Sequence, residues 1–259
     1  MNAAHRVLDP AHPGALPEGL CALAVMTKAP RAGAVKTRLS PPLSPEEAAA
    51  LNTCFLRDTT ASLLETAKQG TARGIAVYTP VGAEAAYAGI LPAEFELVPQ
   101  RGDPFGERLA FATDDLLRLG FASVCLIDSD SPTVPPQAFA QAVDLLRQKE
   151  DAVVLGPSDD GGYYLIGLKK QHSFLFEGID WSTERVLEQT IERARQANLT
   201  VHLLPAWYDV DDRATLHRLC RELFGSNGNA RGYPAPATRG LLSELLQGEG
   251  RDRIWPNES

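Results

Sequence analysis

Four cations, Lys28, Arg31, Lys36 and Arg38, fall in one acid-free run, TKAPRAGAVKTRL at 27–39, of a chain that is acidic overall. Like charges crowded this closely repel unless an anion holds them, and Gly33 in their midst lets backbone amides approach that anion. A di- or triphosphate is the natural guest. The run is neither GxxxxGK[ST] nor GxGxxG, which argues against ATPase and dehydrogenase chemistry. The blander alternative is a solvated basic loop that balances acids elsewhere.

Acids supply the complement. Asp128-Ser129-Asp130-Ser131-Pro132 directly follows the apolar run 123–127. Two carboxylates one residue apart at a strand end suit Mg²⁺ or Mn²⁺, hard cations that keep some waters and take phosphate oxygens as further ligands. An Asp/Ser turn leading into the next helix is the competing explanation. A second acidic run, WYDVDDR at 207–213, offers Asp209 and Asp211 to the same cation from across a sheet, while Asp212 suits a helix cap. Between these lies PSDDGGYYLIGL at 157–168, where Asp160 can accept from hydroxyls, Gly161 and Gly162 let backbone pass close to a ligand, and Tyr163 offers a stacking face. A tight Asp-Gly turn explains the same residues. With Trp181, this region is the expected wall of a pocket for a small polar acceptor. The five histidines show no metal-ligand spacing and no paired nucleophile. Electrostatic and metal catalysis are what remain.

These loops need a scaffold. LCALAVM at 20–26 is a continuous apolar run of strand length, as in a strand buried on both faces of a parallel sheet. Ser44, Pro45 and Glu47 then open a helix with a capping box. Further strands are expected at 74–80, 95–99, 123–127, 151–157, 161–168 and 199–205. Helices are expected at about 103–119, 136–149, from the cap Ser182, 212–223 and 238–247. The alternation predicts one three-layer α/β/α domain on a mostly parallel, doubly wound sheet over 20–247, with 1–19 a frayed leader, a loop at 225–237 and 248–259 a tail. In such sheets ligands bind at the carboxyl ends of strands, where all the loops above fall.

Composition narrows the partners. With 25 basic against 33 acidic residues the net charge is −8, which argues against duplex nucleic acid or an anionic membrane as the main partner. No apolar run reaches the roughly 18 residues of a membrane span, and the start lacks the apolar centre of a signal peptide. Cys21, Cys54, Cys125 and Cys220 are scattered, with no CxxC pair, and read as reduced core cysteines of a cytoplasmic protein. Nothing in the chain fixes its oligomeric state, and a homodimer is compatible with it.

KAPRAGAVKTRL, QRGDPFGERL, DSDSP, DDGGYYLIGL, WST and YDVDDRATL occur in this order, and over residues 20–247 the chain resembles the DUF2064 family, whose members are commonly labelled glycosyltransferases. That family lies within the GT-A nucleotide-diphospho-sugar transferase superfamily. The opening signature is similar to that of 2-phospholactate guanylyltransferases, and the overall plan to molybdenum cofactor guanylyltransferases and sugar-1-phosphate uridylyltransferases. The resemblance implies that Lys28, Gly33, Lys36 and Arg38 wrap the nucleotide phosphates and that Gln100 and Gly106 meet the base. It also implies that Asp130 and Asp211 hold the metal. Many relatives have Gly where this chain has Asp128, so Asp128 and Asp209 are secondary ligand candidates.

Two reactions fit these parts. In nucleotidyl transfer an acceptor phosphate attacks the α-phosphorus of a nucleoside triphosphate, with Lys28, Lys36, Arg38 and Asp130 as the catalytic set and pyrophosphate leaving. In glycosyl transfer an acceptor hydroxyl attacks the anomeric carbon of an NDP-sugar, with Asp160 or Asp209 as base. The number of cations in the first loop favours the triphosphate. A nucleotide-binding module without catalysis is the third reading, and it has little use for both acids beside the cationic loop.

Overall fold

The apolar run after residue 20 becomes strand β1 (Cys21–Lys28), the centre of the sheet, with Cys21 to Val25 fully buried. The computed structural model describes residues 5–225, 231–247 and 250–255. β1 is flanked in parallel by β2 (Ala72–Thr79) and β4 (Ser123–Ile127), and β3 (Glu96–Pro99) lies parallel beyond β2. β6 (Tyr163–Leu168) runs antiparallel to both β4 and β5 (Ala152–Pro157), and β7 (Thr200–Leu203) returns parallel to β5. The order is β3-β2-β1-β4-β6-β5-β7, a mostly parallel seven-stranded sheet of the expected class. The reversal at β6 follows from the short Asp-Gly-Gly turn after β5, which is too short for a crossover helix.

Helices cover both faces. Leu56 and Leu63 of α1 (Pro45–Ala67) and Phe139, Val143 and Leu146 of α3 (Pro136–Leu146) pack on one face. On the other face lie Leu109, Ala112 and Leu116 of α2 (Phe105–Arg118) and Ala194 of α4 (Val186–Gln196). A third cluster joins the N-terminal half of α1 to α5 (Arg213–Phe224), α6 (Pro236–Leu245) and α7 (Gly250–Ile254). α1 is closed by the expected capping box: Ser44 Oγ accepts from Glu47 N at 3.1 Å, and the Glu47 carboxylate accepts from Ser44 N at 2.7 Å. The four cysteines are free and buried. Among the described residues no helix is long and apolar enough to cross a membrane.

Three boundaries differ from expectation. The leader is tied to the sheet: Val7 bridges Leu97, with Leu8 N donating to Leu97 O and Leu97 N to Arg6 O, both at 2.8 Å, and Leu8 is buried. Ser182 does not cap α4. It sits at φ +64°, and the helix begins only at Val186 because Asp180 organises the intervening turn, accepting from Arg185 and from Gln189 Nε2 at 2.8 Å each. The tail is docked where it is described, since Ile254 is fully buried and Arg253 pairs in bidentate fashion with Glu47. Residues 1–4, 226–230, 248–249 and 256–259 of the expected leader, loop and tail lie outside the described residues.

The third cluster depends on one buried acid. Asp58 of α1 accepts from Ala237 N at 3.0 Å and Thr238 N at 2.7 Å, so it satisfies amides that α6 leaves unpaired at its start. Burial raises its pKa despite those bonds, so ionisation of Asp58 weakens the fold as pH rises through that value. Asp58→Ala is expected to cost about 1–3 kcal/mol, because both amides lose their acceptor. Asp58→Asn should cost less, since its oxygen still accepts and no charge is buried. Thermal unfolding of the two variants checks this; equal losses would show that the acceptor oxygen is irrelevant.

Candidate active site

β1 delivers the cationic run to the carboxyl edge of the sheet. Ala29 N donates to Thr79 O at 2.8 Å, Gly33 turns the chain at φ +72°, and Leu39 anchors the far end in the third cluster. Nothing lies within 4 Å of a Cβ placed on Gly33, so glycine is required there for its backbone and not for close packing. Lys36 also has left-handed backbone, φ +49° and ψ +37°, which for a side-chain-bearing residue costs about 1–2 kcal/mol.

The Lys36 side chain shows what holds that conformation. Its Nζ donates to Asp211 Oδ1 at 2.7 Å and Val210 O at 2.8 Å, and sits 2.8 Å from Asp130 Oδ1. An ammonium has three donors, and all three are taken. Its side chain is 4% exposed, against 31% for Asp130 and 40% for Asp211. Burial opposes the charge of Lys36, but the two carboxylates more than offset this and hold its pKa above the usual lysine value. Val210 N donates to Asp130 O at 3.0 Å, so the loops after β4 and β7 are also joined by backbone. The two acids expected to converge from across the sheet therefore share one point, and Lys36 occupies it.

The other acids divide differently. Asp128 turns inward, accepting from Ser131 Oγ at 2.8 Å and Asp130 N at 3.4 Å. Burial, and then the charges of Asp130 and Asp209, push its pKa well above the usual carboxylate range. The Asp-Ser-Asp run is thus an Asx turn at Asp128 and an open carboxylate at Asp130, and the two side chains do not point the same way. Asp209 accepts from Ser158 Oγ at 3.0 Å, and burial followed by the charges of Asp160 and Asp211 raises its pKa to about 6. Neither Asp128 nor Asp209 pairs with Lys36.

Lys28 and Arg38 are exposed at the rim, with Arg38 Nη1 4.0 Å from Asp211. They enclose, with Lys36, Asp130 and Asp211, a depression of about 240 Å³. That is below the 300–1,000 Å³ of a pocket that buries a whole small ligand, and it suits a phosphate group with the remainder of the molecule outside. Larger cavities, of about 890 Å³ at the amino ends of β2 and β3 and about 850 Å³ along α4, lack this pairing of acids with a strand-end cationic loop. Among the described residues no three His, Cys, Asp or Glu side chains converge to hold a metal unaided. Asp130 and Asp211 do fit Mg²⁺ or Mn²⁺ as a two-carboxylate set completed by water and phosphate, since both already meet one cation, the Lys36 ammonium.

Several expected ligand contacts are structural. Gln100 Nε2 donates to Thr27 O at 3.2 Å and Val77 O at 2.8 Å, tying the ends of β1 and β2, so both its N–H groups are engaged by backbone. Gly106 lies under Trp181, where a Cβ would fall 2.6 Å from Phe176 O and 2.8 Å from Trp181 Nε1. Trp181 itself meets the Phe105 ring edge-on at 5.0 Å. Tyr163 packs in the core on the α2/α4 face. Asp160 accepts from Gly162 N at 2.9 Å, and Gly161, at φ +89°, would drive a Cβ to 2.2 Å from Glu184 O. The 157–183 segment is therefore mainly turn and packing. Asn52 lines the depression, Ser158 donates to Asp209 and the Val210 carbonyl accepts from Lys36, and no sequence motif singled these out.

A seven-stranded mixed sheet with acids and a cationic loop at its carboxyl edge is the fold of the nucleotide-diphospho-sugar transferases. A structure from Desulfovibrio desulfuricans G20, whose name gives it provisionally as a nucleotide-diphospho-sugar transferase, matches with TM-score 0.75 and 31% identity over 87% of this chain and 94% of that one. The DUF2064 family, described as uncharacterised proteins conserved in bacteria, matches residues 62–183, and the chain belongs to it. CMP:2-keto-3-deoxy-manno-octonic acid synthetase complexed with CTP shares the fold at TM-score 0.50 and 12% identity, over 88% of this chain and all of that one. A nucleotidyl transferase from Methanothermobacter thermautotroptrophicus does so at 0.50 and 13%, over 77% and 95%. No curated protein matches the sequence.

Gly106→Ala separates packing from base recognition. A helix-propensity gain of up to about 1 kcal/mol opposes an overpacking cost of about 1–3 kcal/mol at Trp181 and Phe176, so a net loss of stability is expected. A variant as stable as the parent but deficient in nucleotide binding would restore Gly106 to the ligand.

Proposed function

We propose that the chain is a divalent-metal-dependent transferase with a nucleotide donor, and that the reaction is nucleotidyl transfer from a nucleoside triphosphate to a small phosphorylated acceptor. The observation that carries this is the meeting of Asp130 and Asp211 at one cation position beside the exposed Lys28 and Arg38. An acceptor phosphate oxygen attacks the α-phosphorus, the bond from that phosphorus to the β-bridging oxygen breaks, and pyrophosphate leaves. Lys28 and Arg38 bind the leaving phosphates, and Lys36 keeps the two carboxylates converged. Asp130 and Asp211 would hold Mg²⁺ or Mn²⁺, which when bound neutralises charge on the phosphates. No covalent enzyme intermediate is required.

Glycosyl transfer from an NDP-sugar is the second reading, favoured by the name of the 31%-identical relative. Product analysis decides between them. Pyrophosphate released from a triphosphate in the presence of an acceptor is expected; an NDP released from an NDP-sugar, with no pyrophosphate exchange, would sink the first reading in favour of the second.

Asp130→Ala tests the metal assignment under either reading. Loss of a supporting group around a metal already costs 10–100-fold in affinity, so loss of a ligand should weaken Mg²⁺-dependent nucleotide binding by at least about tenfold. Calorimetric titration with and without Mg²⁺, alongside thermal unfolding of the variant, measures this. Unchanged Mg²⁺-dependent binding would remove Asp130 from the metal.

A further inference from the structure

One side chain of the depression, Asn52 in α1, is joined to nothing. It is 5% exposed, it lines the depression together with Lys36, Asp130 and Asp211, and among the described residues its carboxamide has no hydrogen-bond partner. The residue as a whole is nearly buried, yet its carboxamide is open to the depression rather than sealed in the core, and asparagine is a poorer helix former than leucine. Its neighbours Leu51 and Phe55 belong to the third cluster, whereas Asn52 does not. The carboxamide therefore faces the phosphate-sized depression and, among the described residues, contributes no hydrogen bond to the fold.

We infer that Asn52 is a donor-binding residue, whose Nδ2–H donates to a phosphate oxygen of the nucleotide. The inference rests on the donor-phosphate reading above. The charge of the surroundings explains the residue type. A second buried cation would need its own counter-charge and would compete with Lys36 for Asp130 and Asp211. A carboxylate would be repelled by those two acids and by the phosphate. A carboxamide donates at low desolvation cost and adds no charge. It also distinguishes a phosphate seated deep against α1 from one held only by the exposed Lys28 and Arg38.

The test uses inorganic tripolyphosphate with Mg²⁺, the part common to nucleoside triphosphates of any base, titrated calorimetrically into the full chain and into Asn52→Leu and Asn52→Ala. The expected result is an affinity about tenfold weaker in both variants, equivalent to about 1.4 kcal/mol. The free Asn52→Leu protein should unfold at a temperature no lower than the parent's, a combination that a purely structural asparagine cannot give. Unchanged affinity in a folded variant overturns this inference and leaves the donor reading standing. Failure of the parent to bind tripolyphosphate overturns both. Loss of Tm in both variants, or failure of both to fold, assigns Asn52 to structure and overturns the inference; if only Asn52→Leu misfolds, Asn52→Ala decides.

Discussion

The buried ammonium of Lys36 is the interaction on which this edge of the molecule depends. Its three acceptors come from two loops, Asp130 after β4 and Val210 and Asp211 after β7, while Lys36 itself arrives on the loop after β1. Three separate strand ends are thus held by one nitrogen. An exposed ion pair contributes about 0–1 kcal/mol, whereas hydrogen bonds to charged groups contribute about 1.5–3 kcal/mol each. The Lys36 cluster lies between these limits, because water reaches the carboxylates but not the ammonium. The two carboxylates more than offset the desolvation of the ammonium, since they hold the Lys36 pKa above the usual lysine value.

The sheet makes this convergence possible. β1 and β4 are adjacent and parallel, so their following loops leave on the same side and neighbour each other. β7 is three strands from β4, separated by β6 and β5, and its own last residue, Leu203, is exposed. The acidic segment reaches Lys36 because the chain after β7 runs back along the sheet edge. Trp207 N donates to Pro157 O at 2.9 Å, Asp159 N to Trp207 O at 3.0 Å, and Val210 N to Asp130 O at 3.0 Å. Behind it the third cluster, with Leu39, Phe55, Tyr208 and Val210 in contact, seals the segment from below. Asp211 is placed by this backbone path, which no strand supplies.

Sequence pattern revealed those parts of the fold whose cause is local. Continuous apolar runs gave the buried strands, and Ser44-Pro45-Glu47 gave the start of α1, since capping needs only residues three apart. Ser182 misled because a hydroxyl before an apolar-periodic stretch looks like a cap, yet Asp180 had already committed the turn to another geometry. Type and strand-end position offered Asp128 with Asp130 and Asp209 with Asp211, and the family resemblance singled out Asp130 and Asp211 among them. The ordering of Asp128 was not legible, because turn and metal ligand share one local signature and only burial separates them. Gln100, Gly106, Tyr163 and Trp181 were expected at the ligand, and the structure gives each a long-range packing or hydrogen-bond contact that sequence spacing does not reveal. Asn52 had a weak local signal, a polar residue among buried positions of a helix, with no motif to single it out.

The pairing of Lys36 also alters the charge balance of the loop that first drew attention. Four cations in sequence become, around the depression, Lys28, Lys36 and Arg38 against Asp130 and Asp211, one net positive charge. A triphosphate carries several negative charges, more than this loop balances by itself. Asp130 and Asp211 would hold a divalent ion that supplies two further positive charges at the same point. Under the proposed function, phosphate and divalent ion would each offset charge that disfavours the other, with Lys36 keeping Asp130 and Asp211 together. If a nucleotide and a divalent ion bind here as proposed, linkage requires that each raise the affinity of the other at this edge.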